Sequence, residues 1–186
     1  RLSIRRKSKE ELQRLKSLGL DRVYMGIESG DDYTLDRISK GETFVSLIDA
    51  GKKIVEAGIF LSTSVIMGIA GNERSLDHAR NTANLLNNLN PNQIAALTLI
   101  PLENTELGQM VNKGMFRIAS PLEIIRELME LVSNFTLKRT QFMANHASNH
   151  LVLAGRLSKD KSRLLSMMDD AIHGNIPLVA DSHRML

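Results

Sequence analysis

The chain has 186 residues, 42% hydrophobic, 24% charged and 4% aromatic, with a net charge of +3 and no cysteine. This composition excludes disorder and a fibre, and the length suits one ordinary core, or one core with a helical appendage. Without cysteine there are no disulfides, thiolate zinc sites or thiol nucleophiles; with no apolar run near the roughly 20 residues of a membrane helix, a cytoplasmic protein with no membrane partner is expected.

Charges of both signs are interspersed except in the opening RLSIRRKSK, and the few aromatics offer no stacking platform, so nucleic acid is not indicated. The chain opens on Arg1 and is expected to be a piece of a longer protein. Ser8 with Glu11 is a capping box that predicts a helix with Leu12, Leu15 and Leu18 on one face, ended by Gly19. DRVYMGI predicts a strand, and GIESGDD the turn after it. Thr43 caps the next predicted helix, which is apolar at Phe44, Leu47, Ile48, Ile54 and Val55 and stops at Gly58. Strand IFLSTSVIM follows. A third helix runs from Ser75 through Leu76, Ala79, Ala83 and Leu86 to Asn90-Pro91, where proline disfavours a helical residue before it. Strand QIAALTLIP comes next. These nearly continuous apolar strands predict a parallel sheet buried on both faces.

Met-Gly-Ile occurs at residues 25–27 and again at 67–69, each time ending an apolar run and preceding a glycine turn. Such equivalent places are the carboxyl ends of parallel strands, where α/β sheets and barrels hold ligands. A repeat of about 30 to 40 residues suits a βα unit of a barrel better than a solenoid. Beyond residue 101 the rhythm changes. Pro101 to Phe116 reads as a loop with a short helix, and Ser120-Pro121-Leu122-Glu123 starts a helix carrying Leu122, Ile125, Leu128, Met129 and Val132. TLKRTQFMANH is a further strand or an extended segment. Ser158 caps a last helix with Leu164, Leu165, Met168 and Ile172, and the tail beyond Pro177 is expected to be loosely held. The fold class is therefore α/β: a partial TIM-like (β/α) barrel of about three βα units over residues 1–117, then a mainly helical region over 118–186.

Glu28 and Ser29 stand at a strand end, where a carboxylate and a hydroxyl hold ribose hydroxyls or an amino group, or simply close a turn with Glu28 paired to a nearby Arg or Lys. IAGNERS is an anion cradle or a plain turn. Arg37 and Lys40 reach a carboxylate or phosphate held at the first turn, or are solvated surface charges. Ser62 and Ser64 share one side of their strand, which points them to a barrel interior or a ligand. In HASNH, His146 and His150 at i and i+4 would bind a metal on a helix, as in a metal-dependent hydrolase. No Glu follows the first His and no third ligand is evident, so no metal site is assigned. Asn145, His146 and Asn149 are expected to close hydrogen bonds or to touch a substrate. The nine methionines fill core gaps.

With VYMGIESG, LSTSVIMGIAG and ALTLIP ending three consecutive strands, residues 1–117 resemble the second half of a radical S-adenosylmethionine enzyme. ANHASN, GRLSKDK and the terminal helix are similar to a bacterial subgroup described as iron–sulfur oxidoreductases. The resemblance implies that Glu28 and Ser29 contact the ribose or amino group of S-adenosylmethionine and that Arg37 or Lys40 pairs with its carboxylate. It further implies that Ser64, Ile66 and Gly68 run beside the adenine, and that Leu99 and Ile100, before Pro101, touch it through their backbone. The family motif at the second of these strands is usually written with glycine first and an acidic residue last; here Ser64 and Gly71 stand at those ends. The resemblance also implies a four-iron four-sulfur cluster held by three cysteines, whose ligands are then expected outside this chain. The parent enzyme would generate a 5′-deoxyadenosyl radical that abstracts hydrogen from an unknown substrate. This chain alone would be inactive and would self-associate through exposed strand edges. The alternative is a non-catalytic half-barrel scaffold that binds a nucleotide or a protein partner at the same strand ends.

Overall fold

Four parallel strands lie side by side in chain order: β1 (Arg22–Glu28), β2 (Phe60–Met67), β3 (Gln93–Thr98) and β4 (Gln141–Ala144). A fifth, β5 (Leu153–Arg156), closes the row antiparallel to β4. This computed structural model describes residues 6–185; Arg1 and the rest of RLSIR in the basic opening run lie outside the described residues.

The helices between the strands are those that the capping signals predict. Helix α1 (Lys9–Ser17) starts on the Ser8–Glu11 capping box, and α3 (Phe44–Glu56) on Thr43. Helix α4 (Ser75–Leu89) ends on Asn90, and α6 (Pro121–Ser133) starts on Ser120 with proline at its first position. Short helices α2 (Asp32–Arg37) and α5 (Glu106–Asn112) fill the loops after β1 and β3. After α1 and α4 the chain turns at Gly19 (φ 101°) and Asn90 (φ 51°), a left-handed backbone that glycine and asparagine tolerate best. Three predicted apolar positions lie outside the core: Leu18, at the C-cap of α1, Leu76, in the first turn of α4, and Leu122, in the first turn of α6, are exposed.

The expectation that the strands are buried on both faces is not met. Met25, Ile27, Leu61, Val65, Met67, Ile94, Ala96, Phe142 and Ala144 pack into one core with α3, α4 and α6. The opposite face carries Tyr24 and Gly26, then Ser62, Ser64 and Ile66, then Gln93, Ala95 and Leu97. All of these except Ser62 are at least partly exposed, and Tyr24 is 74% exposed. The reason lies in the winding. Each crossover returns to the neighbouring strand, so the helices gather on one side, and the other side is the one that a closed barrel would enclose.

The region after residue 117, expected to be mainly helical, also adds two strands to the same sheet and shares the core: Phe142 is fully buried and meets Phe135 edge to face at 6.2 Å. Helix α7 (Leu157–Ile172) begins after Arg156, whose amide donates to Asp160 at 2.8 Å; Ser158 lies inside the first turn and caps nothing. The tail is tied down. The Val179 amide donates to the His150 carbonyl (2.8 Å), and Arg184 donates to the Ser148 carbonyl (2.8 Å). Among the described residues no helix is long and apolar enough to cross a membrane.

Candidate functional site

Glu28 ends β1 with φ 62°, beside a break in the β1–β2 register between Gly26 and Glu28. That turn brings its carboxylate to the ammonium of Lys40, on the loop after α2, in an ion pair whose Lys side chain is 5% and Glu side chain 23% exposed. A Cβ built on Gly26 would meet the Glu28 carboxylate and would lie 3.5 Å from Lys40 Nζ. The pair is therefore folded over Gly26 on the uncovered face and occupies the room that a missing side chain leaves. Ser64 is the register partner of Gly26, and Ile66 and Leu97 are register partners further along, all half-buried. The strand ends thus combine a carboxylate, an ammonium, a hydroxyl and an apolar floor.

Other expected site residues stand elsewhere or are engaged. Ser29 is fully buried, and its hydroxyl accepts the Asp31 amide at 2.9 Å. Arg37 is exposed at the end of α2, 5.9 Å from the Tyr33 ring centre. Gly68 is buried at φ 84°, and its amide donates at 2.9 Å to Glu127, a fully buried carboxylate on α6 that also meets His78 Nδ1 of α4 at 2.7 Å. Leu99 and Ile100 follow β3, half-buried, with the Leu99 amide donated to the Met67 carbonyl at 2.9 Å.

The segment holding Asn145, His146 and Asn149 is a turn rather than a helix, so His146 and His150 lack the spacing a shared metal needs. The described residues contain no group of three metal-ligating side chains. Asn149 is buried, accepting from Thr98 and donating to the Ala96 carbonyl, both at 2.9 Å, which fastens this turn to β3. His146 is exposed and receives the Ser148 amide on Nδ1 at 3.1 Å; Asn145 is exposed. His150 is buried and donates from Nδ1 to the Val179 carbonyl (3.0 Å), and burial pushes its pKa below the usual 6.5.

Sequence reasoning did not find the cluster that joins the two glycine turns. Asp31, buried at the N-cap of α2, accepts from the Thr34 amide and hydroxyl, from Arg74 at 3.0 Å and from Asn81 at 2.9 Å. The Arg74 guanidinium lies 4.5 Å from the Tyr33 ring centre. The N-cap aspartate is visible in SGDD, but no local signal pairs it with an arginine in the other motif. Burial opposes ionisation of Asp31, and the hydrogen bonds from Thr34, Asn81 and Arg74 outweigh it, so the carboxyl titrates below its usual 3.8. A depressed folded pKa gives stability that is present above the unfolded value and is lost as pH falls through the folded one. Between pH of about 5 and about 2.5 the urea midpoint of the wild type should therefore fall more steeply than that of Asp31→Asn. Parallel profiles would show that the bonds to Asp31 do not favour its ionised form.

Residues 2–86 match the family model of the radical SAM superfamily. An uncharacterized protein of Methanocaldococcus jannaschii is 29% identical over 139 residues, which is 75% of this chain and 38% of that protein. The solved structure of the archaeal Methanocaldococcus infernus Elp3 with an N-terminal deletion superposes at a TM-score of 0.64 and 17% identity, over 90% of this chain and 39% of that one. The chain thus spans about two fifths of the length of either, and the structural likeness speaks for the fold, a partial βα barrel.

Proposed function

We propose, from the match of residues 2–86 to the radical SAM superfamily model, that the chain forms the cofactor-holding later part of a radical S-adenosylmethionine enzyme. The observation that carries this reading is the Glu28–Lys40 pair folded over Gly26 on the uncovered sheet face. The residues present fit the nucleoside part of S-adenosylmethionine. Glu28 accepts from ribose hydroxyls or from the amino group, Ser64 adds a hydroxyl, and Ile66 with Leu97 offers an apolar floor to the adenine. Lys40 holds the Glu28 carboxylate in place and adds positive charge beside the cofactor's own carboxylate. When bound and given one electron from a source outside this chain, the cofactor would release methionine and supply a 5′-deoxyadenosyl radical for hydrogen abstraction from substrate.

A four-iron four-sulfur cluster does not fit this chain, since without cysteine it offers no thiolate. Cluster ligands then have to come from residues beyond these 186. The same lack of thiolates favours a second reading, in which the sheet face holds a nucleotide or a protein partner without radical chemistry.

The test is a titration of the isotope-labelled chain with 5′-deoxyadenosine, a probe that needs no cluster. Amide shifts should saturate at Gly26, Ser64, Ile66 and Leu97, and Ser64→Trp, which fills the face, should abolish them while the circular dichroism is kept. A folded chain with no shifts at these positions would remove the nucleoside site. Separating enzyme from scaffold then takes a polypeptide that joins these residues to a three-cysteine segment. Release of 5′-deoxyadenosine from S-adenosylmethionine under dithionite supports the enzyme, and failure to assemble any cluster supports the scaffold.

A further inference from the structure

Arg37, expected to serve the cofactor, lines a different space. A cavity of about 340 Å³ opens between the two glycine turns and the loop after α5, bounded by Tyr33, Arg37, Gly71, Arg74, Phe116 and Arg117 among others. We propose that it binds an organic anion: a phosphate or carboxylate carried on a compact flat ring, with the anion on Arg37 and the ring on Phe116 and Met115.

The charges single out Arg37. The Arg74 guanidinium is matched by Asp31 at 3.0 Å, and that of Arg117 by Glu123 at 2.7 Å. Arg37 lies 5.9 Å from the Tyr33 ring centre and makes no ion pair among the described residues. Its planar, permanently charged fork suits an oxyanion. The walls are fixed before any ligand arrives: Asp31 ties Arg74 and Asn81, Arg74 lies against Tyr33, and the Glu123 carboxylate takes two bonds from Arg117. Apolar surface frames the same opening, for Tyr33 is 54% and Met115 59% exposed, with Phe116 buried beneath. The volume falls in the range of small-molecule sites, about 300–1,000 Å³. Glu73 also lines the cavity and sets a limit on affinity, because it places a carboxylate near the incoming anion. The pocket borrows nothing from the face that holds Glu28, Lys40 and Ser64, and the proposal does not depend on the nucleoside reading.

Phenyl phosphate is the probe, with benzoate and inorganic phosphate as companions, because none of them carries an adenosine that the sheet face would take. In titrations followed at the Arg37 Nε–H and the Gly71 amide, phenyl phosphate should saturate in the millimolar range or tighter and bind several-fold better than inorganic phosphate. Benzoate binding as tightly would assign the site to carboxylates, and weaker benzoate to phosphates; either supports an anion on a ring. Arg37→Ala, at an exposed position, should weaken phenyl phosphate about tenfold, while Glu73→Gln should tighten it. Excess 5′-deoxyadenosine should leave the phenyl phosphate shifts in place. Absence of saturable shifts, or equal affinity in the wild type and Arg37→Ala, would overturn the proposal.

Discussion

Glu127→Ala is expected to lower the free energy of unfolding by about 2–4 kcal/mol, because it leaves two buried hydrogen-bonding groups without a partner at roughly 1–3 kcal/mol each. Both Glu127 and His78 are fully buried. One carboxylate oxygen lies 2.7 Å from His78 Nδ1 and the other accepts the Gly68 amide at 2.9 Å, so a single side chain holds α4, α6 and the end of β2. Truncation strands both groups where no other bond replaces it, and it adds a void to a close-packed layer. Glu127→Gln keeps one acceptor oxygen, but turns an NH2 toward either the amide or the imidazole, and should fall between wild type and alanine. Urea midpoints at unchanged slope give the comparison. A midpoint for Glu127→Ala within error of wild type would mean that the pair does not brace the turn after β2.

How much of this was legible in the sequence depends on the range of the forces involved. Capping is local, so Ser8, Thr43 and Ser120 announced their helices, and the left-handed turns at Gly19 and Asn90 were readable from single residues. The repeated Met-Gly-Ile falls at the ends of β1 and β2, although the turns that follow differ: Gly71 is left-handed at φ 73°, and Gly30 is not. Strand burial was misjudged for a reason of geometry. Ala95, Leu97 and Ile66 are apolar on the face left uncovered here, and an apolar side chain does not reveal whether helices or the far wall of a barrel will cover it. β5 was missed because LAGR has neither length nor alternation; its pairing with β4 supplies what its sequence lacks. The candidate site divides in the same way. Glu28 and Lys40 lie twelve residues apart in one loop region, and their partnership was among the foreseen options. Asp31 and Arg74 are 43 residues apart, and only the parallel pairing of β1 with β2 brings their turns together.

Gly30→Ala should be the most damaging of the glycine substitutions around the two turns, and the reason is the kind of atom that it meets. A Cβ there would lie 2.6 Å from the Asn81 carbonyl oxygen and from Thr82 Cα, which are backbone of α4 and cannot rotate away. The Gly30 amide also donates to Thr82 Oγ1 at 2.8 Å, so the turn and the helix are already in their closest arrangement. Overpacking of a fixed core costs about 1–3 kcal/mol and sometimes more; with helix backbone as the obstacle, the upper part of that range is expected. Gly19→Ala is the control, since its φ of 101° strains any side chain while nothing lies within 4 Å, and it should cost about 1 kcal/mol. The displacement has a second consequence. Pushing α4 from the turn pulls Arg74 and Asn81 off Asp31, which loosens Tyr33 and the wall of the arginine-lined cavity. Gly30→Ala should therefore weaken phenyl phosphate as well as stability, whereas Gly19→Ala should leave that binding unchanged. Equal stability losses for the two variants would mean that the turn and α4 separate freely, and the close approach at Gly30 would then explain neither the packing nor the shape of the cavity.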